Sequence, residues 1–211
     1  MRIRDYLGIS ERRQRQATRA MQVALAGILA LGFYEGEGGT VVNSAVALAV
    51  TFLPALLERD YDLSLDAGLS LWITTAVFLH SVGALGPYRT VWWWDHVTHT
   101  LSASIVGGVG YSTARAFDEH SDEVYIPSRF MFVFILVFVI AFGVIWEVLE
   151  FGVGRASATF GAGRVLTQYG LDDTMLDLVF DAVGGVVVAT WGTAYLTDVS
   201  SRISELLDTN R

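Results

Sequence analysis

A chain of 211 residues that is 53% hydrophobic, with a mean hydropathy of +0.46, is too apolar for a soluble domain and suits a bundle of membrane helices. It carries 22 Asp and Glu against 14 basic residues, all of them Arg, for a net charge of −8, and no basic stripe points to nucleic acid. The absence of Cys excludes a disulfide framework, a thiolate metal site and a cysteine nucleophile. An acidic, Lys-free composition is the expected product of a high-salt habitat, so loop acids such as Asp118, Glu119, Asp122 and Glu123 are read as solvated charge.

Residues 1–16 alternate Arg2, Arg4, Arg12, Arg13 and Arg15 with Ile3, Tyr6, Leu7 and Ile9, the pattern of an amphipathic helix on a membrane surface. The predicted transmembrane domain occupies 17–200, with about six apolar spans at 17–34, 40–57, 68–86, 95–116, 129–153 and 175–197, each near bilayer length. Residues 201–211 form a tail. The fold class is therefore all-α, a polytopic membrane helix bundle. The fourth span, rich in Gly, Ala and Ser, permits close helix packing. Trp92-Trp93-Trp94 at its mouth reads as an interfacial anchor.

The Arg cluster before the first span predicts a cytoplasmic N-terminus in the plasma membrane, and six crossings return the C-terminus to that side. The loop holding Arg155 and Arg164 then falls outside, against the positive-inside pattern. That gives those two Arg a candidate role in holding an anionic head group.

Three ionisable clusters interrupt the apolar pattern: Asp95-His96-Val97-Thr98-His99, Glu147-Val148-Leu149-Glu150, and Asp172 to Asp181. The topology brings all three to the outer end. Asp95 and His99 lie four apart, Glu147 and Glu150 three apart, and Asp173, Asp177 and Asp181 form a stripe at intervals of four, so each set shares a helix face. Ionisable groups at membrane depth face one another, a metal or a cavity. Oxygen donors with an imidazole suit a divalent ion such as Mn, Fe, Zn or Mg, and helical bundles bind metals with carboxylate and His ligands on facing helices. The expected ligands are Asp95, His99, Glu147, Glu150 and Asp177. Asp173 or Asp181 would complete the shell or act as base.

Competing assignments exist for several positions. Asp95 and the pair Asp172–Asp173 could cap helices. His96 points away from the Asp95–His99 face, His80 reads as a core histidine, and His120 as a solvent-exposed one. The stripe from Asp173 to Asp181 also matches half of the CDP-alcohol phosphotransferase signature, whose Asp-Gly and Ala-Arg elements are missing here.

The order Asp-His-x-x-His, Trp-Glu-x-x-Glu, then Thr-Gln, Asp-Thr-x-x-Asp and a Gly-ending apolar helix resembles the YjdF-like integral membrane proteins and, more distantly, the VanZ-like family. The matching residues are Asp95, His99, Glu147, Glu150, Thr167, Gln168, Asp173, Thr174, Asp177 and Gly184, within about residues 90–190. Departures are Thr100 where an aromatic is expected, Ala103 near an expected Gly, and Gln168-Tyr169-Gly170-Leu171-Asp172 in place of Gln-Gly-Asp-x-Trp. The resemblance implies a six-helix membrane fold and a polar site.

Three functions follow from these residues. One is a metal-dependent enzyme acting on a lipid or lipid-linked substrate. Another is a structural or accessory subunit, associating with membrane-protein partners or with itself, whose polar cluster is an ion-pair network. The last is a cation or proton transporter, which would need a matching polar path in the inner halves of the spans.

Overall fold

The computed structural model describes residues 10–121, 123–160, 166 and 169–209, so the segment 1–9 of the amphipathic stretch, and Arg164, Thr167 and Gln168, lie outside the described residues. Among those residues there is no strand. Helix α1 spans Glu11–Glu35. It starts at Ser10, whose hydroxyl accepts the Arg13 amide, and stops at Gly36, whose left-handed φ of 71° closes the last turn. Residues 11–16 are thus continuous with the first span.

Helices α2 (Gly38–Val50) and α3 (Leu53–Tyr61) return along α1 as one broken rod. Pro54 lacks an N–H and its ring crowds the carbonyl four residues back, which interrupts the helix at Thr51–Phe52. Buried Gln22 of α1 donates to Thr51 Oγ1 at 3.1 Å and satisfies polar groups at that break. Helix α4 (Ala67–Ala84) is capped by Asp66, which accepts the Leu69 amide at 2.8 Å. The short α5 (Pro87–Thr90) turns the chain into α6 (Trp94–His120). Helix α7 covers Ser128–Phe160, α8 covers Leu171–Val187, and a π-helical turn at Val188–Gly192 leads into α9 (Thr193–Thr209), which continues through 201–209.

Five rods among the described residues are long and apolar enough to cross a membrane: Glu11–Glu35, Gly38–Tyr61, Ala67–Ala84, Ser128–Thr159 and Leu171–Trp191. Helix α6 has 27 residues, about 40 Å at the helical rise, yet falls short in hydropathy. Its position explains this: α6 packs against α4, α7, α8 and α9, so its small residues face protein and not lipid. Ala103, Ser104, Gly107, Gly108, Gly110 and Ser112 are all buried. Helix α8 approaches α6 closely at Gly184, where a Cβ would lie 2.8 Å from Ala103 Cβ and 3.0 Å from Ser104 N. Beyond it, Ile135, Val139, Val188 and Leu196 pack into one apolar core with Ala103 and Tyr111. Val133, Val137, Ile145 and Val148 of α7 stand exposed on the bundle surface, as lipid-facing residues should.

Chain direction divides the bundle into two ends. Ser201 of α9 donates to Glu119, and Arg202 donates to Ser64 in the α3–α4 loop, which places the C-terminus and both loops at one end. Asp118 corrects the reading of that loop as solvated charge. Its carboxylate accepts the Ile126 amide at 2.7 Å and pairs with Arg115, and its side chain is 6% exposed. Fastening the α6–α7 connection is what that carboxylate does. His120 is half-buried and not solvent-exposed.

A Gly184→Val variant should be destabilised by about 3 kcal/mol, the upper range for forcing side-chain atoms into a packed seam. Gly27→Ala, where nothing lies within 4 Å of the added Cβ, should be neutral or slightly stabilising. Thermal unfolding of the two variants in detergent tests the difference.

Candidate metal centre

The three clusters meet at the end opposite the C-terminus. Helix α6 begins there without a side-chain cap, its N-cap being Trp93, so Asp95 is not used as a cap. Of the three tryptophans, Trp92 is 82% exposed as an anchor should be, while Trp94 turns inward and donates from Nε1 to Leu79 O at 3.1 Å. This fastens the start of α6 to α4 and aims Asp95 and His99 into the bundle.

His99 is the hub. Its Nδ1 lies 3.1 Å from Asp181 Oδ1, while Nε2 lies 3.6 Å from Asp95 Oδ1 and 3.7 Å from Asp177 Oδ1. A carboxylate only accepts, so Nδ1 donates to Asp181, and Nε2 is turned toward the other two aspartates. The Nε2 separations exceed hydrogen-bond range. Asp177 is 2% exposed, and its Oδ1 has no hydrogen-bond partner. Donor atoms of Asp95, His99 and Asp177 all lie within 4.8 Å of one another. Ligands bound about 2.1 Å from one ion sit roughly 3.0–3.4 Å apart at octahedral or tetrahedral angles, so small side-chain shifts would close this triad on a divalent ion. A ligating imidazole whose second nitrogen is held by a carboxylate is the usual arrangement at such centres.

The other expected residues fall around this hub. Glu150 shares with Asp95 and His99 the wall of a cavity of about 210 Å³. Buried Glu147 lies apart from the triad, accepting the Thr174 hydroxyl at 2.6 Å on Oε2 and leaving Oε1 unpartnered. Asp173 accepts the Tyr169 amide at 3.2 Å and so fastens the loop before α8. Arg155 is exposed, with its guanidinium 5.9 Å over the Phe151 ring, and does not line the cavity. His96 stacks on Phe180 at 4.2 Å and stays out of the triad, as its spacing predicts. His80 does more than fill the core: it lines the cavity and meets the Tyr88 hydroxyl at 2.8 Å.

The chain matches the family described as "Predicted membrane protein (DUF2238)" over residues 17–198. It belongs to that family. The match takes in every ligand-type residue from Asp95 to Asp181, and the YjdF-like resemblance is consistent with it. A Thermotoga maritima protein named "Uncharacterized protein" is 31% identical over 140 residues, which are 65% of this chain and 68% of that one. No solved structure matches.

This DUF2238 chain also uses residues that no motif announced. Tyr88 bridges His80 and Thr98, and Thr98 in turn bonds Asp95 O at 2.8 Å. Arg89, and not Arg155, stands on the cavity wall, with its Nε 3.5 Å from the Tyr169 hydroxyl. Gly143 on α7 leaves the space that Asp181 fills, since a Cβ there would overlap the carboxylate. An isolated Gly in a greasy helix was the available signal for that contact.

Thr174→Val would strip Glu147 of its bond and leave a buried carboxylate unsupported, a loss of about 1–3 kcal/mol. Thr174→Ser, which keeps the hydroxyl, should stay near wild type. Unfolding midpoints of the two variants test this.

Proposed function

We propose that this membrane protein holds a divalent cation on Asp95, His99 and Asp177 and acts as a metal-dependent enzyme on a lipid or lipid-linked substrate at the outer face of the plasma membrane. The carrying observation is the His99 geometry: one ring nitrogen is committed to Asp181, and the other faces two aspartate oxygens at 3.6 and 3.7 Å with Asp177 Oδ1 unpartnered. A protonated His99 in a purely structural ion network would draw those oxygens into hydrogen-bond range. A divalent ion between these atoms would draw them together.

When bound, such an ion polarises an ester or phosphoryl oxygen and lowers the pKa of a bound water. The chain's own residues do the rest. Asp181 orients His99. Glu150, half-buried on the cavity wall, is placed to take a proton. Arg89 and Tyr169 stand at the same cavity and can hold a polar head group. Among the described residues, eight of the ten Arg lie at or toward the other end, which favours a cytoplasmic N-terminus and an external site. Transport has less support, because the seam deeper than Asp181 is filled by Val139, Ile135 and Val188, which are 1%, 0% and 6% exposed.

Metal analysis of the purified protein should find tightly held divalent ion that is lost in His99→Ala and Asp177→Asn. Asp181→Asn should weaken binding by about 10–100-fold, the usual effect of removing a carboxylate behind a ligating His. Metal-free wild type, with variants that are merely less stable, would favour the structural ion network.

A further inference from the structure

The cavity of about 210 Å³ extends beyond the candidate centre. Its wall also takes in Glu37, Thr40 and Asn43 from the start of α2, and Tyr88 and Arg89 from α5. Helix α2 packs on α1 and α4, while α6 packs on α4, α7, α8 and α9. The cavity thus bridges the N-terminal hairpin and the half of the bundle that carries Asp95 and His99. It is smaller than a pocket for a drug-sized ligand, so it suits a compact polar group.

Charges of both signs stand on this wall without partners. Glu37 opens α2, yet its side chain makes no bond to the amides of that helix. Among the described residues it makes no other hydrogen bond or ion pair. Arg89 touches only the Tyr169 hydroxyl, 3.5 Å from its Nε, and pairs with no carboxylate among the described residues. Glu150 differs, because it lies within electrostatic reach of His99 and Asp95 and belongs with the centre.

A guanidinium and a carboxylate that line one cavity and leave each other free suit a ligand with both signs of charge. A wholly anionic head group would meet Glu37 and Glu150 with nothing to offset them. A wholly cationic one would meet Arg89 and the bound ion.

We propose that this cavity binds a zwitterionic phosphoryl-amine head group, with its phosphoryl oxygens toward Arg89 and the cation position and its ammonium against Glu37. The inference rests on the reading of this cavity as the substrate site beside Asp95, His99 and Asp177. Glu37 is then the residue that selects the head group.

Full-length protein in detergent with Mn²⁺ tests this by calorimetric titration. The probes are short-chain phosphatidylethanolamine, short-chain phosphatidylglycerol and soluble O-phosphoethanolamine, with metal content measured alongside. Wild type should bind the ethanolamine lipid about tenfold tighter than the glycerol lipid, the scale of one charge-assisted hydrogen bond. Glu37→Gln should lose that preference and keep wild-type metal content and unfolding midpoint. Arg89→Gln should weaken both lipids. No binding of any probe, equal binding of the two lipids, or a preference unchanged in Glu37→Gln would overturn the proposal. Soluble O-phosphoethanolamine binding as tightly as the lipid would uphold the zwitterion pocket and overturn a lipid as its source. A preference that persists in metal-free protein would overturn the cation reading and leave the pocket standing.

Discussion

His99 sits between three aspartates inside a bundle whose outer surface faces hydrocarbon, and the rest of the molecule is arranged around that fact. A buried carboxylate is expensive unless something opposite in charge or rich in donors meets it. Here one imidazole serves Asp181 through Nδ1 and presents Nε2 to Asp95 and Asp177. Those four residues come from two helices only, α6 and α8. The spacing between these two helices therefore sets the geometry of the site.

That spacing is made by absence of side chain. Gly184 lets α8 touch α6 at Ala103 and Ser104, and Gly143 lets α7 accept the Asp181 carboxylate. Without apolar attraction between helices in lipid, such close van der Waals contact is the main cohesive force. The low hydropathy of α6 and the polar centre thus have one origin. A helix enclosed by α4, α7, α8 and α9 need not be greasy, and its small residues admit neighbours near enough to share charged groups.

The polar centre is confined to one end. Toward the other end, Ile135, Val139 and Val188 close the seam, and Asp118 with Arg115 fastens the loop at the far surface. The cavity at the first end carries Asp95 and Glu150 on its wall. Membership of the DUF2238 family, together with the match to the Thermotoga maritima protein, extends this fold beyond one chain.

Much of this was legible in the residues themselves. Hydropathy sets the helix-bundle class, and helical periodicity puts Asp95 with His99 and Asp177 with Asp181 on shared faces, because both depend only on neighbours along the chain. Arg placement likewise predicts which ends lie together. The partners across helices depend on packing and were decided by tertiary structure alone. Nothing local says that Asp181 faces the back of His99 while Asp177 faces its front, that Thr174 takes Glu147 away from the triad, or that Arg89 reaches the cavity where Arg155 does not. Periodicity reports which face a residue occupies; the rotation and closeness of separate helices, governed here by Gly143 and Gly184, determine what that face meets.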